Sequence, residues 1–438
     1  MDSDGQAYYF GRMLIANFLS DLSGLSPQAR YALMKLWLEN GHSLPVQMSV
    51  ENCASHMAIP RARAGKVINE LIDTGHIEPD YRIGQRGRPK RFINISAATT
   101  EMLRNLTPTH PGGVLHLESV HSLLAHRTSD ADADSSSLSP ANIVFLIALL
   151  SCANECGAVN GLGTSKLITY TGMTAQRINL QVKKMRKLGI ILFSVPGMTG
   201  ARILGKTTTT YWLDLTHPLF ILPTGSKLVK KMFVNLGSGA KANAMFDITH
   251  QMTGIQRKHW KTLKKSLNNQ QAFDLAITKL DVQVIAQIPS FDISSVECFF
   301  REAANFNLRL SFQLVVDRVA RSIALARIRT SSNSNQIAPT FSMLRTLYRE
   351  LLPRRFLSPG SETAPSKKSR RMLVRVVLEI ANTLATEIAA ELRGNRFKLS
   401  SVTSFELAPI SKVSTDRLLV VALNAPDPPS TEKEKTAD

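Results

Sequence analysis

Two stretches of this sequence, far apart in the chain, run through the same succession of helix starts, apolar stripes and glycine stops. In the first, Ser26 is placed to cap a helix whose first residue is Pro27; Ala29, Leu33, Leu36 and Trp37 recur at helical spacing, and Gly41 follows Asn40 as a stop. A short helix is expected from Ser49, with Glu51 and Asn52 in its first turn and Ala54 and Met57 facing inward, ending at Ile59-Pro60. Pro60 then opens a third helix, in which Ala64, Val67, Ile68, Leu71 and Ile72 form an i, i+3, i+4, i+7, i+8 stripe that Gly75 ends. Beyond Gly75 the pattern turns extended: His76-Ile77-Glu78, a Gly- and Arg-rich turn from Gly84 to Lys90, and the alternating Arg91-Phe92-Ile93-Asn94-Ile95.

The second stretch repeats that order. Ser139-Pro140 starts a helix with Ile143, Leu146, Ile147 and Leu150 buried; Thr164 or Ser165 caps the next, which runs through Leu167, Ile168 and Tyr170 to a turn at Gly172. Thr174 caps the third, where Ile178, Val182, Met185 and Leu188 point inward and Gly189 closes the helix. Ile190 to Val195 and Thr208 to Leu215 then read as two strands around a loop from Gly197 to Lys206. One such order arises by coincidence more easily than two. Helix, helix, turn, helix, hairpin resembles the winged helix-turn-helix DNA-binding superfamily, found in many small bacterial repressors, over Leu25 to Ser96 and again over Ser139 to Leu215.

Charge points the same way. Lys+Arg 53 against Asp+Glu 34 leaves a net charge of +19, so a polyanionic partner is expected. Four cysteines (Cys53, Cys152, Cys156 and Cys298) in 438 residues do not form a secreted disulfide framework, and Cys152 and Cys156, one helical turn apart, read as core residues. The sequence starts acidic where a signal peptide would be basic, and its longest apolar run, Ile143 to Leu150, is too short for a membrane span. A cytoplasmic, nucleoid-associated protein without membrane contact is therefore expected, with double-stranded DNA as partner.

The expected fold class is mainly α with small β wings: tandem winged helix-turn-helix domains, then a helical region and a small α+β C-terminal region. The divisions fall at 1–97 for the first winged helix, 98–138 for a linker centred on the acidic, Ser-rich Ser129 to Ser137, and 139–223 for the second winged helix. A basic helical region, 224–350, a basic linker, 351–371, the α+β region, 372–425, and a disordered tail, 426–438, complete the chain. A flexible linker lets one bound module raise the effective concentration of the other. The helix from Arg371 to Arg393, with Leu373, Val376, Val377, Ile380, Leu384, Ile388 and Leu392 on one face, offers either a homodimer interface or the cover of a small sheet.

In a winged helix the third helix lies in the major groove, so the resemblance implies base contacts from Arg61, Arg63, Lys66 and Asn69. Arg pairs bidentately with guanine and Asn with adenine. The wing segment Arg86-Gly87-Arg88-Pro89-Lys90-Arg91 is similar to the core of an A·T-hook, which implies minor-groove insertion by Arg86 and Arg88 with Lys90 and Arg91 beside them. In the second copy Gln176, Arg177 and Asn179 suit base edges, Lys183, Lys184 and Arg186 suit phosphates, and Arg202 and Lys206 sit in the wing. The plainer alternatives are solvated helix faces, a basic turn touching phosphate alone, and, for the second copy, a surface that packs against a partner subunit.

Catalytic motifs are missing from the sequence. Gly237-Ser238-Gly239 lacks the strand and trailing glycine of a dinucleotide fold, Gly161-Leu162-Gly163-Thr164-Ser165-Lys166 only superficially resembles a phosphate loop, and His110, His116, His121 and His126 do not keep one helical face. Neither a cofactor nor a metal is expected, and the protein is not expected to be an enzyme. The expectation is a sequence-specific double-stranded-DNA-binding protein of the bacterial transcription-regulator type. The alternative is a plasmid-type replication initiator that binds origin repeats, a family that also uses tandem winged helices. A nucleic-acid-processing enzyme built on the basic helices after Ala240 lacks an acidic metal cluster.

Overall fold

Ser26 and Ser139 both do what their place ahead of a proline suggests. The Ser26 hydroxyl accepts from the Ala29 N–H at 3.2 Å, and that of Ser139 accepts from the Asn142 N–H at 3.4 Å while the Asn142 side chain takes the Ser139 N–H at 2.8 Å, a reciprocal capping box. Each cap is also tied to the third helix of its own repeat. Ser26 donates to both carboxylate oxygens of Glu70, and the Asn142 amide donates to the Gln181 side chain.

A computed structural model describes residues 15–40, 47–56, 61–82, 90–104, 115–126, 138–199, 203–220, 227–236, 245–246, 297–300, 306–330, 344, 347–348, 350–352, 366–395, 401–409 and 416–424. It is mostly helical, with small antiparallel sheets, and divides into two units: Met1–Ser194 with Thr209–Thr224, and Val195–Thr208 with Gly225–Asp438.

In the first unit, helix α1 (residues 15–21) precedes α2 (Pro27–Asn40), β1 (Gln47–Ser49), α3 (Val50–His56), α4 (Arg61–Asp73), β2 (Ile77–Arg82) and β3 (Lys90–Ile95). Helices α5 (Ala97–Arg104) and α6 (Leu117–Ala125) follow. The second repeat then runs α7 (Pro140–Leu150), β4 (Ala158–Val159), α8 (Thr164–Thr171), α9 (Ala175–Lys187), β5 (Ile191–Val195) and β6 (Thr210–Leu213). Helix, strand, helix, helix, strand, strand is common to both repeats, and so is the sheet order, β1-β3-β2 and β4-β6-β5. The strand between the first and second helices pairs with the last strand each time, as in Met48 opposite Ile93 and Ala158 opposite Trp212.

The first helices of the two repeats, α2 and α7, pack on one another, with α6 against both. That explains why α7 is buried all round from Ala141 to Leu150 instead of along one stripe. It also explains two buried cations on α2, since a helix closed on every side has no solvent face for them. Arg30 is 1% exposed, and Lys35 donates from Nζ to the Leu124 carbonyl of α6 at 2.8 Å.

The expected linker 98–138 is corrected by these contacts. It carries nearly all of α5 and the whole of α6, whose Val120, Leu123 and Leu124 are buried. The Ser-rich segment 127–137 lies outside the described residues, but the repeats it joins form one body. Helix α8 starts after Gly163, without a side-chain cap from Thr164 or Ser165. Cys152 and Cys156 fall in the turn beyond α7 rather than within a helix.

The second unit joins regions read as separate. Strand β7 (Lys227–Asn235) lies in the supposed helical stretch 224–350 and pairs along its length with β9 (Asp416–Asn424), which also pairs with β8 (Val402–Pro409), giving the order β7-β9-β8. Short α10 (Glu297–Phe300) and the long helices α11 (Phe306–Thr330) and α12 (Lys367–Gly394) supply the rest of its core. Phe312 of α11 meets Phe300 and Phe246 edge-on, with ring centroids 5.3 and 5.6 Å away. Helix α12 starts at Lys367, inside the supposed linker 351–371; it packs against α11, and its apolar face enters the same core as residues of the sheet. Among the other expectations here, the helix over 240–278 falls outside the described residues apart from 245–246, as do the whole of 426–438.

Residues 195–208 belong to this second unit although they connect β5 to β6. Met198 and Thr207 exchange backbone hydrogen bonds of 3.2 and 2.9 Å, Ile203 and Leu204 enter the unit's core, and the Leu204 N–H donates to the Leu351 carbonyl at 2.8 Å. Leu204 holds a φ of 66°, unusual for a branched residue, and burial over-determines it.

Candidate nucleic-acid interface

Helix α9 carries Arg177, Lys183, Lys184, Arg186 and Lys187 and no acidic residue over Ala175–Lys187. Ile178 and Met185 are buried, which fixes the helix about its axis. At about 100° per residue, Gln176, Leu180, Lys183 and Lys187 then fall within roughly 60° of one another on the opposite side. All four are exposed, and so are Arg177 and Asn179 at the flanks; Lys184 is half-buried. Thr174 caps the helix by accepting from the Arg177 N–H at 3.3 Å. The three last-turn cations suit the negative helix end, whereas Arg177 sits at the positive end, where the helix dipole gives it no support.

Arg186 turns toward its own sheet. Its guanidinium carbon lies 6.0 Å from the centre of the Phe193 ring on β5, and Phe193 in turn packs against Trp212 at 6.3 Å. That contact places Arg186 away from the outward face.

Helix α4 offers a shorter surface of mixed charge. Ala64, Val67, Ile68 and Leu71 are buried, so Lys66, Asn69 and Asp73 point outward and Arg63 stands at the edge, all exposed. Arg63 and Asn69 each engage neighbouring groups in this state. Arg61 is the first residue of α4, and its side chain lies outside the described residues.

For the segment expected as the first wing, the structure gives the two strands that flank it. β2 and β3 pair from Ile77 opposite Ile95 out to Arg82 opposite Lys90, so the turn holding Arg86 and Arg88 springs from the end of this ladder; Arg86 and Arg88 themselves, and the side chains of Lys90 and Arg91, lie outside the described residues. Tyr81, opposite Arg91, is 62% exposed, an aromatic ring standing at the base of the turn. Arg202 also lies outside the described residues, while its neighbours Ile203 and Leu204 are buried in the second unit.

Lys187 and Leu180 on this face escaped sequence reading, and so did Arg30 in the core of the first unit. Leu180, 57% exposed in the middle of the cationic face, breaks the polar pattern and was the signal available. Arg30 reads as an ordinary helix cation because no local pattern shows that α2 is enclosed.

Among the described residues, no group of three or more His, Cys, Asp or Glu side chains gathers as metal ligands, and no helix is long and apolar enough to cross a membrane. No protein-family model, curated protein or solved structure matches the chain.

Proposed function

We propose that the two repeats are winged helices and that the chain is a sequence-specific double-stranded-DNA-binding protein, acting as a transcription regulator of the bacterial type. The observation that carries this reading is the outward face of α9: cationic, free of carboxylates, and set on the third helix of an element and sheet order that occurs twice. Lys183 and Lys187 supply phosphate or guanine contacts, Gln176 suits adenine, and Leu180 suits the apolar methyl group of thymine. In the first repeat Lys66 and Asn69 face outward in the corresponding helix, with Arg61 and Arg63 beside them. The turn with Arg86 and Arg88 reaches the minor groove, and Lys90 and Arg91 approach phosphates from its base.

The packing of the two repeats into one unit favours a second reading, a plasmid-type replication initiator, since tandem winged helices in that family are compact. Support of replication by a DNA fragment bearing the bound repeats separates the two.

Binding of a labelled random duplex and of a selected duplex, measured from low to near-physiological salt, tests the DNA reading. Each phosphate contact contributes a slope of about −0.9 in log affinity against log salt. Lys183→Ala with Lys187→Ala is expected to flatten that slope by roughly two contacts while leaving thermal stability unchanged. Salt-independent binding, or a slope untouched by both substitutions, would contradict it.

A further inference from the structure

We infer that Arg30 is the joint that holds the two reading helices at a single spacing, so that the protein recognises one composite duplex site of fixed spacer length. This rests on the DNA-reading roles of α4 and α9 proposed above. A continuous path of hydrogen bonds and packing contacts links the two helices. Glu70 of α4 binds the backbone and hydroxyl of Ser26, and one turn along α2 the Arg30 N–H donates to the Ser26 carbonyl at 3.1 Å. The Arg30 side chain then leaves its repeat: Nη1 donates to the Thr169 carbonyl of α8 at 2.7 Å and to the Leu19 carbonyl of α1 at 2.7 Å, while Nε donates to the Leu25 carbonyl at 3.0 Å.

Thr169 and Leu19 each lie in the last turn of a helix, where carbonyls lack partners and the helix dipole favours a cation. One guanidinium therefore closes the end of α1, just ahead of the first repeat, and the end of α8 in the second. Three residues after Thr169, Gly172 makes the turn that leads to Thr174 and α9. It has a φ of 66°, and a Cβ there would collide with the Leu25 carbonyl oxygen and sit 3.2 Å from Arg30 Nε. The second repeat's helix-turn-helix thus rests on the Arg30 side chain and the backbone beside it. Burial pushes the Arg30 pKa down to about 10 against the pull of Glu70, so the joint stays charged at neutral pH. Breaking it strands three carbonyls, those of Leu19 and Leu25 buried and that of Thr169 half-buried, which is why the joint resists flexing.

The linker offers the rival account, in which chain length between the repeats sets the reach of the second one. A selected site, with base pairs added one at a time between the halves protected by α4 and by α9, distinguishes them. Each added base pair rotates one half by roughly 34° about the duplex. Wild-type protein is expected to lose at least about tenfold in affinity within one or two added pairs, the worth of one lost base contact. Six Gly and Ser residues inserted between Ser136 and Ser137 should leave that profile unchanged, whereas Arg30→Met should broaden it. Gly172→Ala provides the second variant if Arg30→Met does not fold. A wild-type profile that is flat, a site read by one helix alone, or a profile that broadens with the insertion would overturn the joint while leaving DNA binding intact. Failure to select any site would instead overturn the DNA reading on which it depends.

Discussion

Leu180 shows how one residue can report on a whole face. An exposed leucine costs solvation wherever it stands, and here it is flanked by Gln176, Lys183 and Lys187, residues that would meet the polar edge of a base pair. Replacing thymine by deoxyuridine across a selected site is expected to weaken wild-type binding a few-fold and to leave Leu180→Ala indifferent, measured by anisotropy; equal losses in both proteins would remove the methyl contact. Histidines set a second residue-scale expectation. Burial holds the pKa of His76, which hydrogen-bonds Thr99 at 2.9 Å, below its ordinary value, and does the same to His121 against the pull of Glu118. As pH falls through about 6.5 the unfolded chain takes up protons that the fold refuses, so stability falls with pH there and levels off below the folded values. Melting curves from pH 7.5 to 5 should show that decline, and His76→Gln should flatten part of it; a melting temperature that rises on acidification would contradict the assignment.

At the scale of elements, strands decide the second unit. β9 is central, and Leu419, Val421 and Leu423 enter the core beside Phe405 and Leu407. Ending the chain after Pro409 removes β9 and unpairs both neighbours, so limited proteolysis should degrade the second unit while the first persists; an unchanged digestion pattern would contradict the sheet order. Inside that core Arg417 Nε lies 3.4 Å from the Asp317 carboxylate, whose pKa burial raises even against Arg417, so Arg417→Met alone should cost about 3–5 kcal/mol in denaturant unfolding, and pairing it with Asp317→Leu should recover most of this. Local sequence showed the long helices well, because Ser-Pro starts, glycine stops and apolar stripes are all short-range signals. It did not show β1 and β4, which are too short for alternation, nor β7, whose partner is nearly 200 residues away in sequence. The outward residues of α4 and α9 were legible because the buried stripe leaves a complementary face. The burial of Ile203 and Leu204, in the loop expected as a second wing, was not, since the residues that bury them are distant in the chain.

For the whole molecule, a charge of +19 guarantees some affinity for any polyanion, so affinity alone cannot test the account. The central claim is that two third helices, one in each repeat, read sequence. Selection from a random duplex library at near-physiological salt tests it most directly, performed with wild-type protein, with Lys66→Ala/Asn69→Ala and with Gln176→Ala/Lys183→Ala. The account predicts one discrete motif in two parts, the first relaxing with the α4 substitutions and the second with the α9 substitutions. No enriched motif, or a motif that neither pair of substitutions alters, would contradict it.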